Sequence, residues 1–243
     1  MTTTRTSTTT ASRCWAVVPA AGVGRRMGGD VPKQYLQLLG QPLMAHTLNV
    51  LGTHPRISGV MVALHPEDGW YESVEPHLQS FNCWRADGGK ERADSVVNAL
   101  DALLTHASRD DWVLVHDAAR PCLRATDIDR LIDGVTAQGV GGIIGAAVPD
   151  TVKRVDAEGR IRETVSREGL FRALTPQMFA LGELRDAINS ALSRGLVVTD
   201  EASAMEHAGV QPILVHGFTD NIKVTEPADL ELASLYLTSH AGN

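Results

Sequence analysis

The sequence predicts an α/β fold, a mostly parallel β-sheet with helices on both faces, and three observations carry that reading. Short, almost continuously apolar runs alternate with longer runs of helical period along the 243 residues. Strands that are apolar throughout belong to sheets buried on both faces. Polar, glycine-containing motifs directly follow several of these runs, at the carboxyl ends where such sheets hold ligands. With 43% hydrophobic and 21% charged residues, one domain of this length buries a core that needs no disulfide or metal staple.

Taken in order, Trp15–Pro19 reads as the first buried strand and Pro42–Leu51 as a helix with proline in its first turn. GVMVAL at 59–64 is a strand, Pro66–Leu78 a helix and Asn82–Ala86 a short strand. Glu91–His106 sets Ala93, Val96, Val97, Leu100, Leu103 and Leu104 at helical spacing. Trp112–Val115 is a strand, and Asp127–Gln138 a helix with Ile128, Leu131, Ile132 and Val135 on one face. Gly142–Val148 is another buried strand. Helices over Leu181–Arg194 and near Asp200–His207, a strand over Pro212–His216 and a helix from Glu226 complete the series.

One segment breaks the rhythm. TVKRVDAEGRIRETVS at 151–166 places a turn signal, Asp-Ala-Glu-Gly, between two alternating, charge-rich arms. It reads as a β-hairpin too polar for a core, and an isolated hairpin is marginal in water. It therefore either packs on a second subunit or is an ordinary surface loop. No internal repeat or linker divides the chain. The expected organisation is one domain over 14–243 with an arm at about 150–167, behind a disordered tail of residues 1–13.

The formal charge of −7 argues against a basic surface for DNA or RNA, so no nucleic-acid partner is expected. A local cluster of cations can still draw an anionic small molecule into one cleft. Cys14, Cys83 and Cys122 are odd in number, far apart and without CxxC spacing, which fits a reducing cytoplasm and gives no zinc signature. The opening MTTTRTSTTTASR lacks the apolar stretch of a signal peptide, is short for a transit peptide and reads as a tail. No apolar run reaches the ~20 residues of a membrane span.

The stretch PAAGVGRRMGGDVPKQ at 19–34 has the look of a phosphate-binding turn. The Walker pattern fails, because Gly29 is followed by Asp30 and the nearest lysine is Lys33. The dinucleotide fingerprint finds Gly22 and Gly24 but meets Met27 in its third glycine slot, with no ribose-gripping acid after the next strand. Ala20, Ala21 and Gly22 are small enough for backbone N–H groups to approach an anion. Arg25 or Arg26, with Lys33, then either adds full positive charges around it or is simply solvated after a turn. Several side-chain cations suit a phosphorus centre that gains charge during reaction.

AVVPAAGVGRRMGGDVPKQY resembles the signature loop of the 2-C-methyl-D-erythritol 4-phosphate cytidylyltransferases. The likeness recurs in family order: GGKERADSV at 88–96, VLVHDAARPC at 113–122, DTVKR at 150–154, LTPQ at 174–177, VTDEASAME at 198–206 and DNIKVTEPADL at 220–230. It implies a Rossmann-like nucleotidyltransferase fold with a protruding β-hairpin arm. It also implies transfer of CMP from CTP to 2-C-methyl-D-erythritol 4-phosphate, releasing pyrophosphate. The runner-up is a pentitol-phosphate (ribitol 5-phosphate) cytidylyltransferase, and a dinucleotide-binding reductase is the alternative from another class.

By the resemblance, Arg26 and Lys33 flank the triphosphate and stabilise the transition state, while Arg25 is a solvated neighbour. Ala20, Ala21, Gly22 and Gly24 form the loop, and Gly88, Gly89 and Ser95, with the backbone of Ala20, read the cytosine edge. Lys90 stands where some relatives carry an acid. Asp94 reads alternatively as a first-turn carboxylate favoured by the helix dipole. Asp117, after the strand WVLV, suits Mg²⁺, which takes one or two carboxylates plus phosphates; a helix cap or a salt bridge to Arg120 is the structural alternative. Arg120 is counted among the binding residues, and His116 is structural, since an ionised phosphate needs no general base. Arg167, Lys223, Thr151 and Thr199 match the residues that hold the sugar-alcohol phosphate. The arm is expected to cross to the partner in a homodimer.

Overall fold

In the computed structural model, residues 12–22 and 31–241 are described. Their elements run β1 (Cys14–Pro19), β2 (Gln37–Leu38), β3 (Gln41–Pro42), α1 (Leu43–Gly52), β4 (Ile57–Leu64), β5 (Cys83–Asp87), α2 (Arg92–Leu103), β6 (Trp112–Val115) and α3 (Ala125–Gln138). Then follow β7 (Gly142–Ala147), β8 (Val152–Val155), β9 (Ile161–Val165), β10 (Phe171–Ala180), α4 (Leu181–Ser193), α5 (Glu201–His207), β11 (Ile213–His216) and α6 (Pro227–Ala241).

Seven strands form one sheet in the order β11-β7-β10-β6-β1-β4-β5. All run parallel except β10, which is antiparallel to both neighbours. Alternation along β1 shows how the sheet is covered. Ala16 and Val18 face a core that includes Leu48 and Leu51 of α1 and Ile128 and Leu131 of α3. Trp15 and Val17 face the opposite core, with Leu100 of α2, Leu184 of α4 and Met205 of α5. A period of two in the strand thus feeds two layers of helices. A third, smaller cluster joins Leu43, Cys122, Val224 and Ala233, docking α6 near the carboxyl end of the sheet.

Two expectations need correction. Pro66–Leu78 is not an α-helix but carries two single 3-10 turns, Tyr71–Ser73 and Glu75–His77. Pro76 has no N–H to donate and blocks a continuous helix, while buried Tyr71 and Val74, three residues apart, suit the tighter turn. The second concerns β10, which no apolar run announced. Pro176 interrupts FRALTPQMFA, and the β10–β7 register shifts between Ala173 and Gln177 to accommodate it.

The arm forms as expected. Among the described residues β8 and β9 pair only with each other. Asp156 Oδ1 accepts from the backbone N–H groups of Glu158 (3.1 Å) and Arg160 (2.8 Å), and Gly159 takes φ +79°. Arg154 pairs with Glu163 and Arg162 with Asp156 across the hairpin.

Candidate active site

β1 ends in Pro19 and hands the chain to Ala20, Ala21 and Gly22 at the carboxyl edge of the sheet. The Ala20 N–H continues the sheet by donating to Ala63 O at 2.8 Å. That N–H is therefore already committed and is not one of the anion donors expected of the loop; among the described residues of the turn, those of Ala21 and Gly22 remain. Buried Gln34 stitches the turn from below: its Nε2 donates to Ala20 O (2.7 Å) and Gly22 O (3.0 Å). Lys33, beside it, reaches Val224 O at 3.2 Å and so bridges to the segment before α6.

The opposite wall is the glycine pair after β5. Gly88 N donates to Leu64 O at 2.6 Å, and a Cβ here would collide with Ala21 Cβ. The loop can lie against the first turn only because Gly88 has no side chain. Ser95, buried in the first turn of α2, accepts from Gly89 N–H (3.0 Å) and donates to Glu91 O (3.1 Å). Its hydroxyl thus shapes the glycine loop, and only its remaining acceptor capacity is left for a base. Asp94 caps the helix start by accepting from Glu91 N–H at 3.0 Å, the first-turn role that the sequence allowed.

Asp117 lies at the floor, two residues beyond β6, 8% exposed. Three cations surround its carboxylate: Arg92 Nε at 3.2 Å from Oδ1, Lys223 Nζ at 2.9 Å and Arg120 Nε at 3.3 Å from Oδ2. Burial alone would push its pKa up, but Arg92, Lys223 and Arg120 together hold it well below the usual carboxylate range. Glu201, fully buried at the start of α5, takes the far side of Arg92 in a fork of 2.7 and 3.2 Å. Three cations thus meet two carboxylates at the cleft floor.

His116 is structural. Thr175 Oγ1 accepts from Asp117 N–H (3.2 Å) and donates its own hydrogen to His116 Nδ1 (2.9 Å), while His116 Nε2 donates to Arg120 O (3.1 Å). A neutral imidazole protonated on Nε2 satisfies both bonds, and burial, which lowers its pKa to about 4, favours that form.

Between these walls lies a cleft of about 270 Å³ lined by Ala20, Ala21, Gly22, Lys33, Gly89, Lys90, Arg92, Ser95, Asp117 and Lys223, among others. The structure therefore gathers most of the expected nucleotide-binding residues. Arg120 does not line the cleft; it braces Asp117 and holds Asn221 O at 2.8 Å. Thr151, Arg167 and Thr199 are exposed and do not line it either. Gly24 and Arg26 lie outside the described residues. Sequence reasoning assigned no role to Gln34, Arg92 or Glu201, although each sits inside a motif it singled out. No helix among the described residues is long and apolar enough to cross a membrane.

Comparison with known proteins gives the family. The family profile for IspD, 2-C-methyl-D-erythritol 4-phosphate cytidylyltransferase, matches residues 14–239. The protein of that name from Shewanella pealeana is 54% identical over 226 residues, 93% of this chain and 96% of the relative. That from Hahella chejuensis is 46% identical, over 93% of each chain. The crystal structure of the Francisella tularensis enzyme superposes with a TM-score of 0.78 at 35% identity, covering 93% of this chain and all of that one (100%). These matches favour neither the pentitol-phosphate enzyme nor the dinucleotide reductase. The fold is thus the Rossmann-like nucleotidyltransferase fold, and the chain belongs to the IspD family of 2-C-methyl-D-erythritol 4-phosphate cytidylyltransferases.

Proposed function

We propose that this cleft transfers CMP from CTP to 2-C-methyl-D-erythritol 4-phosphate, yielding 4-diphosphocytidyl-2-C-methyl-D-erythritol and pyrophosphate. The observation that carries the reading is the convergence of Lys33, Arg92 and Lys223 on a glycine-walled cleft at the carboxyl edge of the sheet. An oxygen of the acceptor's phosphate attacks the α-phosphorus of CTP in line, and the bond to the pyrophosphate oxygen breaks. The attacking phosphate is already ionised, so the protein's task is positioning and charge stabilisation.

In this reading the backbone of Ala21 and Gly22, with Lys33 and Arg26, holds the triphosphate and stabilises charge at the reacting phosphorus. The Gly88–Gly89 loop, shaped by Ser95, receives the cytosine. Lys223 pairs with Asp117 in the free enzyme and turns to the transferred phosphate. Thr151, Arg167 and Thr199 complete the acceptor pocket, with the arm supplied by a partner in a homodimer. Support for that arrangement comes from the hairpin, which pairs only with itself and exposes Val155 and Ile161.

For Mg²⁺, the donor set fits in part. Among the described residues no group of three metal-ligating side chains converges, but Asp117 is an ionised carboxylate at the cleft floor, and phosphates supply the remaining oxygens that Mg²⁺ prefers. Asp117 would hold the ion, which would neutralise charge on the departing pyrophosphate.

The test is pyrophosphate release from CTP, measured against a panel of sugar-alcohol phosphates with and without Mg²⁺. Metal-dependent release with methylerythritol phosphate, and little with ribitol 5-phosphate, is expected. Preference for ribitol 5-phosphate, or release that ignores the acceptor, overturns the assignment.

A further inference from the structure

Glu201 is a carboxylate 1% exposed that does not itself line the cleft, yet it takes both terminal nitrogens of Arg92, which does. Its own position is unusually fixed. Asp200 caps α5 by accepting from Ser203 N–H at 2.9 Å. Buried Gln177 of β10 then clamps the same turn from the sheet: its Oε1 accepts from Ala202 N–H (2.8 Å) and its Nε2 donates to Asp200 Oδ2 (2.9 Å). Arg92 spends Nε on Asp117 and one hydrogen of each terminal nitrogen on Glu201, three of the five N–H bonds a guanidinium has.

We propose that Glu201 is a positioning residue for the transfer reaction: it fixes the Arg92 guanidinium against Asp117 and at the cleft floor. In doing so it ties the Thr199–Asp200 segment on the acceptor side to the nucleotide pocket. The inference rests on the functional reading above. A lone arginine has a long, flexible stem, and a planar fork on a buried carboxylate removes that freedom before substrate arrives. A buried carboxylate without its arginine, or the reverse, would leave a charge uncompensated, so the pair holds together as a unit. Chain order gives this pair its use. Glu201 follows Thr199 and Asp200 directly, whereas Arg92 follows the Gly88–Gly89 wall, so displacement of either segment is felt at Asp117.

The experiment is a double-mutant cycle of Arg92→Ala and Glu201→Gln, read as kcat and KM for CTP together with the thermal midpoint. Glu201→Gln alone should lower kcat by on the order of 10- to 100-fold, as a small misplacement of a reacting group does, with KM changed less. In the Arg92→Ala background, Glu201→Gln should change kcat by less than about 2-fold, full coupling of two groups that act as one, and should raise the midpoint above that of Arg92→Ala. Equal losses in both backgrounds, or a wild-type kcat for Glu201→Gln, overturn the proposal. Should Glu201→Gln not fold, Arg92→Lys keeps the cation but not the fork; a comparable loss of kcat is expected, and a wild-type rate overturns the idea. Wild-type protein that releases no pyrophosphate with CTP and acceptor would instead sink the functional reading itself.

Discussion

Lys223 Nζ lies 2.9 Å from Asp117 Oδ2, the oxygen that Arg120 also reaches, and the two partners differ sharply in exposure. The lysine side chain is 39% exposed and the carboxylate 10%. The carboxylate is therefore the fixed member and the lysine the one able to leave for a phosphate. Lys223→Met should leave the fold intact, because Arg92 and Arg120 still hold Asp117 and a half-open ion pair contributes little stability. Its kcat for pyrophosphate release should fall by on the order of 10²-fold, as loss of one transition-state donor does. A raised KM at unchanged kcat would show that Lys223 binds ground and transition states alike.

His116 makes acid stability measurable at one residue. Its folded pKa is lowered to about 4 from 6.5 by burial, so between these values the unfolded chain binds a proton that the folded chain does not. Stability from this group is complete above pH 6.5 and is lost as pH falls toward 4, by on the order of 3 kcal/mol. Denaturant unfolding of wild type and His116→Asn across pH 4–7 should show a shallower slope for the variant. Identical slopes would mean that His116 accepts a proton without disturbing Thr175 and Arg120.

Much of this was legible in the sequence, and the failures have physical causes. Strands such as Trp112–Val115 are apolar because both faces are covered, so hydrophobicity alone finds them. β10 escaped because Pro176 sits within it, and its identity as a strand comes from β6 and β7 on either side rather than from its own residues. Motif spacing placed Asp117 and Lys33 at one edge of the sheet. It could not show that Arg92 bridges Asp117 and Glu201, since that chain of charges joins α2, the β6 edge and α5. Nor could it show that the Ala20 N–H is already committed to Ala63, a matter of strand pairing alone.

Gln34 offers a test of the loop that leaves every cation in place. Its amide serves the carbonyls of Ala20 and Gly22 together, and Ala20 is buried. Gln34→Ala should cost about 2 kcal/mol in chemical unfolding, the usual penalty when a buried acceptor loses its donor. It should also raise KM for CTP, because Ala21 and Gly22 lose their support. Unchanged KM with lowered stability would separate the stitch from nucleotide binding.

The exposed arm gives a quantitative test of a shared site. Val155 and Ile161 are 53% and 64% exposed on a hairpin that pairs only with itself, a face suited to a second copy of the chain. If Lys33 of one subunit works with Arg167 of the other, Lys33→Ala and Arg167→Ala proteins are each inactive, yet a mixed dimer keeps one intact site. Random exchange at equal amounts makes half of the dimers mixed, each with one of two sites restored, so about a quarter of wild-type activity should return in a twofold-symmetric assembly. Recovery should follow the time course of subunit exchange, measured in parallel with two size-distinguishable tags. Complete exchange without recovery would place Arg167 in the same subunit's site or in none, and the arm would then serve assembly alone.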